Sequence, residues 1–480
     1  MHHFVRDEGH HHHGNTLPAY EEGNHEIPEG QYTSNESVGA GMWTYVLVTM
    51  LAFGIMFPVG LMMGLARHRY FIPMQIVAAA TAVVGMVFGL THGGRRYSPN
   101  NIALIWGWCL MVLAGIQVFF AVFLQIPLRT REGELEENSV LRRYPFFYRV
   151  RNVLSKCLLV LACFLPIASW VQFGFIFITM FGWCHEDHLG QCLAHGIMGS
   201  SFIAYGCILT IMLLLGEAWL QRRNVSQEFY DSTIIMLWGI VNTFTEHRWG
   251  QPWSHGDYQH TSMGIIWWCA GLVGILLSRK RWVAGSPPMR NHIPSIVLIF
   301  TGYAMSEHAQ HLEVSTKVHA FFGWALMLAG FTRIVEISFV LKDGPSKLAV
   351  AKAWQFLPPF LLVESGICFM GATEEQMAYL NDAGIDHSSY LLTLSSAAFL
   401  VYFLILSMIL LYKYLSGTQL TSRDSHRGQH VPLATEEEEL GLNDDEADKF
   451  EIDDEEDPSE GSSSSGRRDD GFELSLLRGK

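Results

Sequence analysis

The chain runs to 480 residues, 49% hydrophobic and only 16% charged, with a formal net charge of −14. The acidic excess lies largely in residues 416–480, so it describes a tail and not a charged working surface. No basic domain and no glycine-rich phosphate loop between strand and helix is present, which excludes nucleic acid as a partner and the common nucleotide-binding folds.

Residues 1–41 are polar, with His10 to His13 in a row and His2, His3 and His25 nearby. They read as a disordered exoplasmic arm whose histidine run binds metal weakly if at all. No apolar core of a signal peptide precedes residue 42, so the first apolar run is expected to act as its own insertion signal. Asn35-Glu36-Ser37 is a glycosylation sequon on the side predicted to face out.

Eleven apolar runs follow, near the ~20 residues that a bilayer crossing needs. They cover 42–65, 72–92, 102–127, 153–181, 193–219, 231–247, 259–278, 294–312, 316–341, 353–371 and 389–415. The run at 231–247 is the weakest, being short and holding Asn242, Thr243 and Thr245. A spanning segment must satisfy its own backbone, so the fold class is all-α: a polytopic helical membrane bundle of about eleven transmembrane helices. In the first three, Gly60/Gly64 and Gly85/Gly89 allow close helix contact, and Gln75 and Gln117 read as interhelical hydrogen bonders.

Lysine and arginine fix the expected orientation. With the N-terminus outside, the inner loops and the start of the tail hold 21 of them and the outer segments five: Arg6, Arg95, Arg96, Arg248 and Lys317. The expectation is N-terminus out and C-terminus in. Residues 128–152 form a charged cytosolic connector that separates a three-helix unit, 42–127, from an eight-helix membrane domain, 153–415. The acidic tail, 416–480, is too polar to order itself and is available to cytosolic partners. The bilayer is the one partner the composition requires, in the endomembrane system or the plasma membrane; oligomeric state is not legible.

That orientation sorts the histidines. His92, His185, His188, His195, His247, His255, His260, His308, His311, His319 and His387 all fall at outer helix ends or outer loops. Cys184 and Cys192 flank one such loop, where an oxidising exterior favours a disulfide; with His185 and His188 they offer a Cys₂His₂ zinc site instead. The other six cysteines lie within apolar runs and read as small core residues. The stretch 301–319 concentrates Glu307, His308, His311 and His319; if the helix continues, Glu307 and His311 share a face.

Imidazole is a ready ligand near neutral pH, and carboxylates orient it. The candidate metal site is therefore His195, His247, His260, Glu307, His308, His311 and His319, with zinc, copper or iron as the metal. Glu364, near the middle of an apolar run, needs a proton or a cation there; it is either a weaker member of the site or a neutral, hydrogen-bonded structural acid. Arg333 and Glu336 are spaced to pair within one helix and read as structural. Competing readings are a haem held by two facing histidines, a zinc-water hydrolase with Glu307 or Asp257 as base, a proton or cation path through Glu364 and Glu307, and a non-catalytic scaffold. A two-haem conduit has only His68 and His292 on the inner side.

Three segments carry a resemblance: CHEDHLGQCLAHGIMGSSF at 184–202, NTFTEHRWGQPWSHGDYQHTSMGIIWW at 242–268 and GYAMSEHAQHLEVSTKVHAFFGW at 302–324. With them the chain resembles the fungal YTP-like family of membrane proteins over about 40–415. His195-Gly196, His260, His308, His311 and Glu364 are similar, more weakly, to the animal transmembrane protein forty-five family. The resemblance implies a multipass fungal membrane protein and no defined reaction. The first three helices are similar in outline to ascorbate-reducible b-type cytochromes, yet the first helix offers Trp43 and Tyr45 and no histidine.

Overall fold

A computed structural model describes residues 27, 31–99, 101–125, 145–245, 247, 250, 252–278, 289–307, 310–342 and 351–427. The His10–His13 run, residues 126–144 of the connector, His308 and the tail beyond 427 lie outside them. The chain divides into Met1–Gln419 and Leu420–Lys480, and of the second unit only the helical residues to Arg427 are described.

Among the described residues regular structure is almost wholly helical. The helices are α1 (Ala40–Leu65), α2 (Phe71–Thr91), α3 (Ile102–Gln125), α4 (Pro145–Phe181), α5 (Leu189–Ile211) and α6 (Gln227–Thr245). Then come α7 (His255–Ser278), α8 (Ile293–Ser306), α9 (Glu313–Leu341), α10 (Leu357–Met370), α11 (Glu374–Asp382) and α12 (His387–Arg427). Among the described residues nine candidate spans, in α1 to α5, α7, α9, α10 and α12, are long and apolar enough to cross a bilayer, and α8 is a shorter apolar helix. Their outward faces carry Leu, Val, Ile and Phe, as a surface solvated by lipid requires. The molecule is a polytopic helical membrane protein.

Local chemistry shapes the helices. Pro58 has no N–H to give the preceding turn, and α1 widens into a π-helical stretch over Met50–Met56 just before it. Helices α1 to α4 share two apolar cores, one around Phe53, Phe57, Leu110 and Leu165, the other around Met42, Tyr45, Ile176 and Met180. Gln117 Nε2 donates to Gln75 Oε1 at 3.0 Å inside this group. The later helices pack around Phe322, Leu326, Leu362 and Phe369. Glycines allow close crossings among them: a Cβ at Gly199 of α5 would lie 2.6 Å from the Gly366 carbonyl oxygen of α10.

Four expectations need correction. The run 294–312 is not one helix: α8 stops at Ser306, Glu307 caps it, and α9 begins at Glu313. Glu307 and His311 therefore do not share a helical face. Helix α7 starts at His255 and not at 259, where the apolar run begins, because Ser254 and Asp257 cap its end reciprocally: Asp257 N donates to Ser254 Oγ at 3.1 Å and Ser254 N to Asp257 Oδ2 at 2.9 Å. Residues 31–39 do not behave as a free arm, since Thr33 and Val38 bridge antiparallel to Tyr97 and Gly94, and Arg95 Nε donates to the Glu36 carbonyl at 2.7 Å. Of the six helix cysteines only Cys368 is a core residue; Cys109, Cys157, Cys163 and Cys269 face outward, where an apolar thiol meets lipid at little cost.

Candidate functional site

Among the described residues, one end of the bundle gathers most of the histidines. The loop between α4 and α5 is closed by a disulfide between Cys184 and Cys192, whose Cα atoms are 5.5 Å apart. Cys184 N donates to Glu375 Oε2 of α11 at 2.7 Å, and the Tyr32 ring stacks on His185 with centroids 3.3 Å apart. Both cysteines are bonded to each other, so they do not join His185 and His188 as zinc ligands here. Burial holds the His185 imidazole below its ordinary pKa, against the opposing pull of the Glu375 and Glu186 carboxylates.

Behind this loop lie two buried imidazoles. His195 sits in the second turn of α5 and His319 in the second turn of α9, with ring centroids 6.0 Å apart and planes at 87°. His195 also stacks on Phe369 of α10 at 4.5 Å. Each ring places Nδ1 2.9 Å from the carbonyl four residues back, Gln191 for His195 and Ser315 for His319. A carbonyl only accepts, so Nδ1 carries the hydrogen in both, and Nε2 of each neutral ring bears the lone pair. That is the nitrogen able to take a proton or bind a metal.

The remaining candidates spread out. His247 Nδ1 meets Asp257 Oδ2 at 3.2 Å, and its ring stacks on Trp253 at 4.1 Å. His260 is half-buried; its backbone carbonyl accepts from Asn242 Nδ2 at 2.9 Å. Glu307 and His311 are exposed in the connection between α8 and α9. Glu364 is buried in α10 and accepts from Ser395 Oγ of α12 at 2.8 Å. Among the described residues no three His, Cys, Asp or Glu side chains gather closely enough to hold a metal ion.

The opposite end of α5, α6 and α9 holds a network that sequence reasoning left as a single structural pair. Glu228 Oε1 accepts from Arg290 Nη1 at 3.2 Å and from Arg333 Nη2 at 2.8 Å. Arg333 Nη1 also donates to Glu336 Oε2 at 2.6 Å, and Gln355 Nε2 to Glu336 Oε1 at 3.1 Å. A cavity of about 30 Å³ lies against Arg290, Arg333, Glu336 and Gln355. The readable signal was four charges inside or beside apolar runs: Glu228, Asp231, Arg333 and Glu336.

A helical bundle with apolar outer faces and ionisable groups held inside defines a multipass integral membrane protein. The chain belongs to the YTP1-like family: residues 168–413 match the family profile described as Protein YTP1-like, C-terminal, and 25–127 match a domain of unknown function. Protein YTP1 of Saccharomyces cerevisiae is 49% identical over 250 residues, 52% of this chain and 53% of that one, so the match spans about half of that relative's length. An uncharacterized membrane protein of Schizosaccharomyces pombe is 22% identical over 440 residues, covering 69% of this chain and 86% of its own. A second uncharacterized membrane protein of S. cerevisiae is 28% identical over 178 residues, 33% of this chain and 28% of its own. No solved structure matches.

Proposed function

We propose that the protein is a proton-handling membrane protein whose histidine end faces the exoplasmic side, and that His195 and His319 are its proton acceptors. The observation that carries this reading is the shared tautomer. Both rings fix Nδ1–H on a carbonyl of their own helix and so keep Nε2 as a base. Buried side by side, two such rings cannot both become cations without mutual repulsion, so the pair takes up its first proton far more readily than its second. Glu364, in the interior on α10, the helix whose Phe369 stacks on His195, is the carboxyl assigned to accept or pass the proton onward. The 21-to-5 lysine and arginine asymmetry supports the orientation, and the two family matches support a division near the connector.

A second reading keeps the same atoms. Metal-bound histidines are commonly oriented by an Nδ1–H bond to a carbonyl, which is the arrangement of both rings here. One preparation separates the two: protein lacking residues 1–26, whose histidines would scavenge metal, assayed for metal content and for protons taken up after an acid jump. The proton reading expects uptake that falls in His195→Gln and His319→Gln with no stoichiometric metal. Stoichiometric zinc, copper or iron, lost in the same variants, replaces it with the metal reading.

A further inference from the structure

The end of the bundle away from the histidines holds five charged side chains out of water, and they do not balance. Glu228 and Asp231 of α6 and Glu336 of α9 bring three carboxylates; Arg290 and Arg333 bring two guanidiniums. Side-chain exposure is 1% for Glu228, 3% for Glu336, 8% for Arg290 and 12% for Arg333. Both guanidiniums form their ion pairs with Glu228 and Glu336, whereas Asp231 forms none among the described residues: it has the Tyr205 hydroxyl of α5 and the Gln227 side chain as hydrogen-bond partners, with Arg333 acting on it only through its field. Among the described residues, with every carboxyl ionised, one negative charge is uncompensated in a low-dielectric interior, which proteins avoid by neutralising the group. The second fact is independent of charge. Glu228 Oε2 is buried and has no hydrogen-bond partner among the described residues.

One hydrogen answers both. An un-ionised carboxyl on Asp231 brings the cluster to neutrality and sets an O–H donor three residues along the same helical face from Glu228 Oε2. We infer that this end of α6 is a proton-binding site, the proton held on Asp231 and shared with Glu228. Among the described residues the groups around it are Tyr205 from α5, Gln227 from α6, Arg333 and Glu336 from α9, Arg290 ahead of α8, and Gln355 ahead of α10. Helix α7 brings no charge, because it meets α6 here with Gly271 and Gly274 against Ser232 and Met236. A metal cation would need three ligands converging on one point, and among the described residues no such group exists. The adjoining cavity, about 30 Å³ and lined by Arg290 and Arg333, has room for the water that would carry the proton in.

The test is the infrared carboxyl band of the full chain in lipid at neutral pH. Wild type is expected to show the C=O stretch of an un-ionised acid that shifts in heavy water, and Asp231→Asn, which mimics the neutral side chain, to lose one carboxyl's worth of it while melting like wild type. If the band is unchanged in that variant, the inference is overturned. Should Asp231→Asn fail to fold, Tyr205→Phe removes only the hydrogen-bond partner. A band moved to higher frequency then supports the site, and an unmoved band overturns it.

Discussion

Replacing Arg333 by methionine keeps an unbranched apolar stem and removes the guanidinium and its charge. In the structure Arg333 is 12% exposed and ion-pairs at 2.8 Å with Glu228 and 2.6 Å with Glu336, whose side chains are 1% and 3% exposed. Removing one partner of a buried pair costs about 3–5 kcal/mol, because the surviving charge keeps its desolvation penalty. Two carboxylates are stranded here, but Glu228 retains Arg290 at 3.2 Å, so the expected loss is about 3–4 kcal/mol. The assay is equilibrium unfolding in mixed micelles by titration with a denaturing detergent, with helix content as the signal. Glu336→Gln in the Arg333→Met background removes a stranded charge, so the double variant should be less damaged than the two single losses added together. A loss below about 1 kcal/mol for Arg333→Met, the range of solvent-exposed pairs, would refute the claim that this network is buried and strongly coupled.

The disulfide between Cys184 and Cys192 closes a short loop, eight residues apart in sequence. Cys184→Ser with Cys192→Ser is expected to cost about 2–3 kcal/mol, and reduction should bring wild type to the same level; reductant-insensitive melting would contradict this. Burial holds the folded His185 ring below its usual pKa, so the folded state binds a proton less tightly than the unfolded state does. Its stabilising contribution is present above about pH 6.5 and lost as pH falls through the folded value. His185→Phe, which keeps a ring on Tyr32, should therefore flatten part of the acid limb of a stability–pH curve, and an identical limb would argue against it. Gly199→Val places a methyl-bearing carbon against the Gly366 carbonyl and should separate α5 from α10 at a cost of about 1–3 kcal/mol or more. Gly196→Ala, with open space at that position, is the control and should melt like wild type.

The bundle was legible because lipid imposes one rule on every span: apolar length with a self-satisfied backbone. Element ends were less so. The helix start at His255 and the short helix Glu374–Asp382 both begin with a reciprocal cap, Ser254 with Asp257 and Thr373 with Gln376, and that signature was present in the sequence. The break after Ser306 had no glycine or proline to mark it; the polar run from Glu307 to His311 reads equally as a helix face or a turn, and packing decides. Outward cysteines escaped because hydrophobicity does not distinguish a core facing protein from a surface facing lipid. The histidine end was found by counting histidines along predicted topology, yet counting could not reveal that His195 and His319 bring their rings together behind the loop. The arginine network is spread over α6, the approach to α8, α9 and the approach to α10, a juxtaposition that no local pattern encodes.

The most direct test of the proton-handling claim is the nitrogen magnetic resonance of ¹⁵N-histidine-labelled protein in lipid, taken from about pH 8 down to about pH 5, the range in which imidazole titrates. The account predicts, for His195 and His319, a protonated Nδ1 and a bare Nε2 at the alkaline end, with one Nε2 gaining a proton well before the other. Those signals should vanish in the His195→Gln and His319→Gln variants. Rings whose Nε2 stays bare across the whole range, or whose Nδ1 is bare at the start, would contradict it.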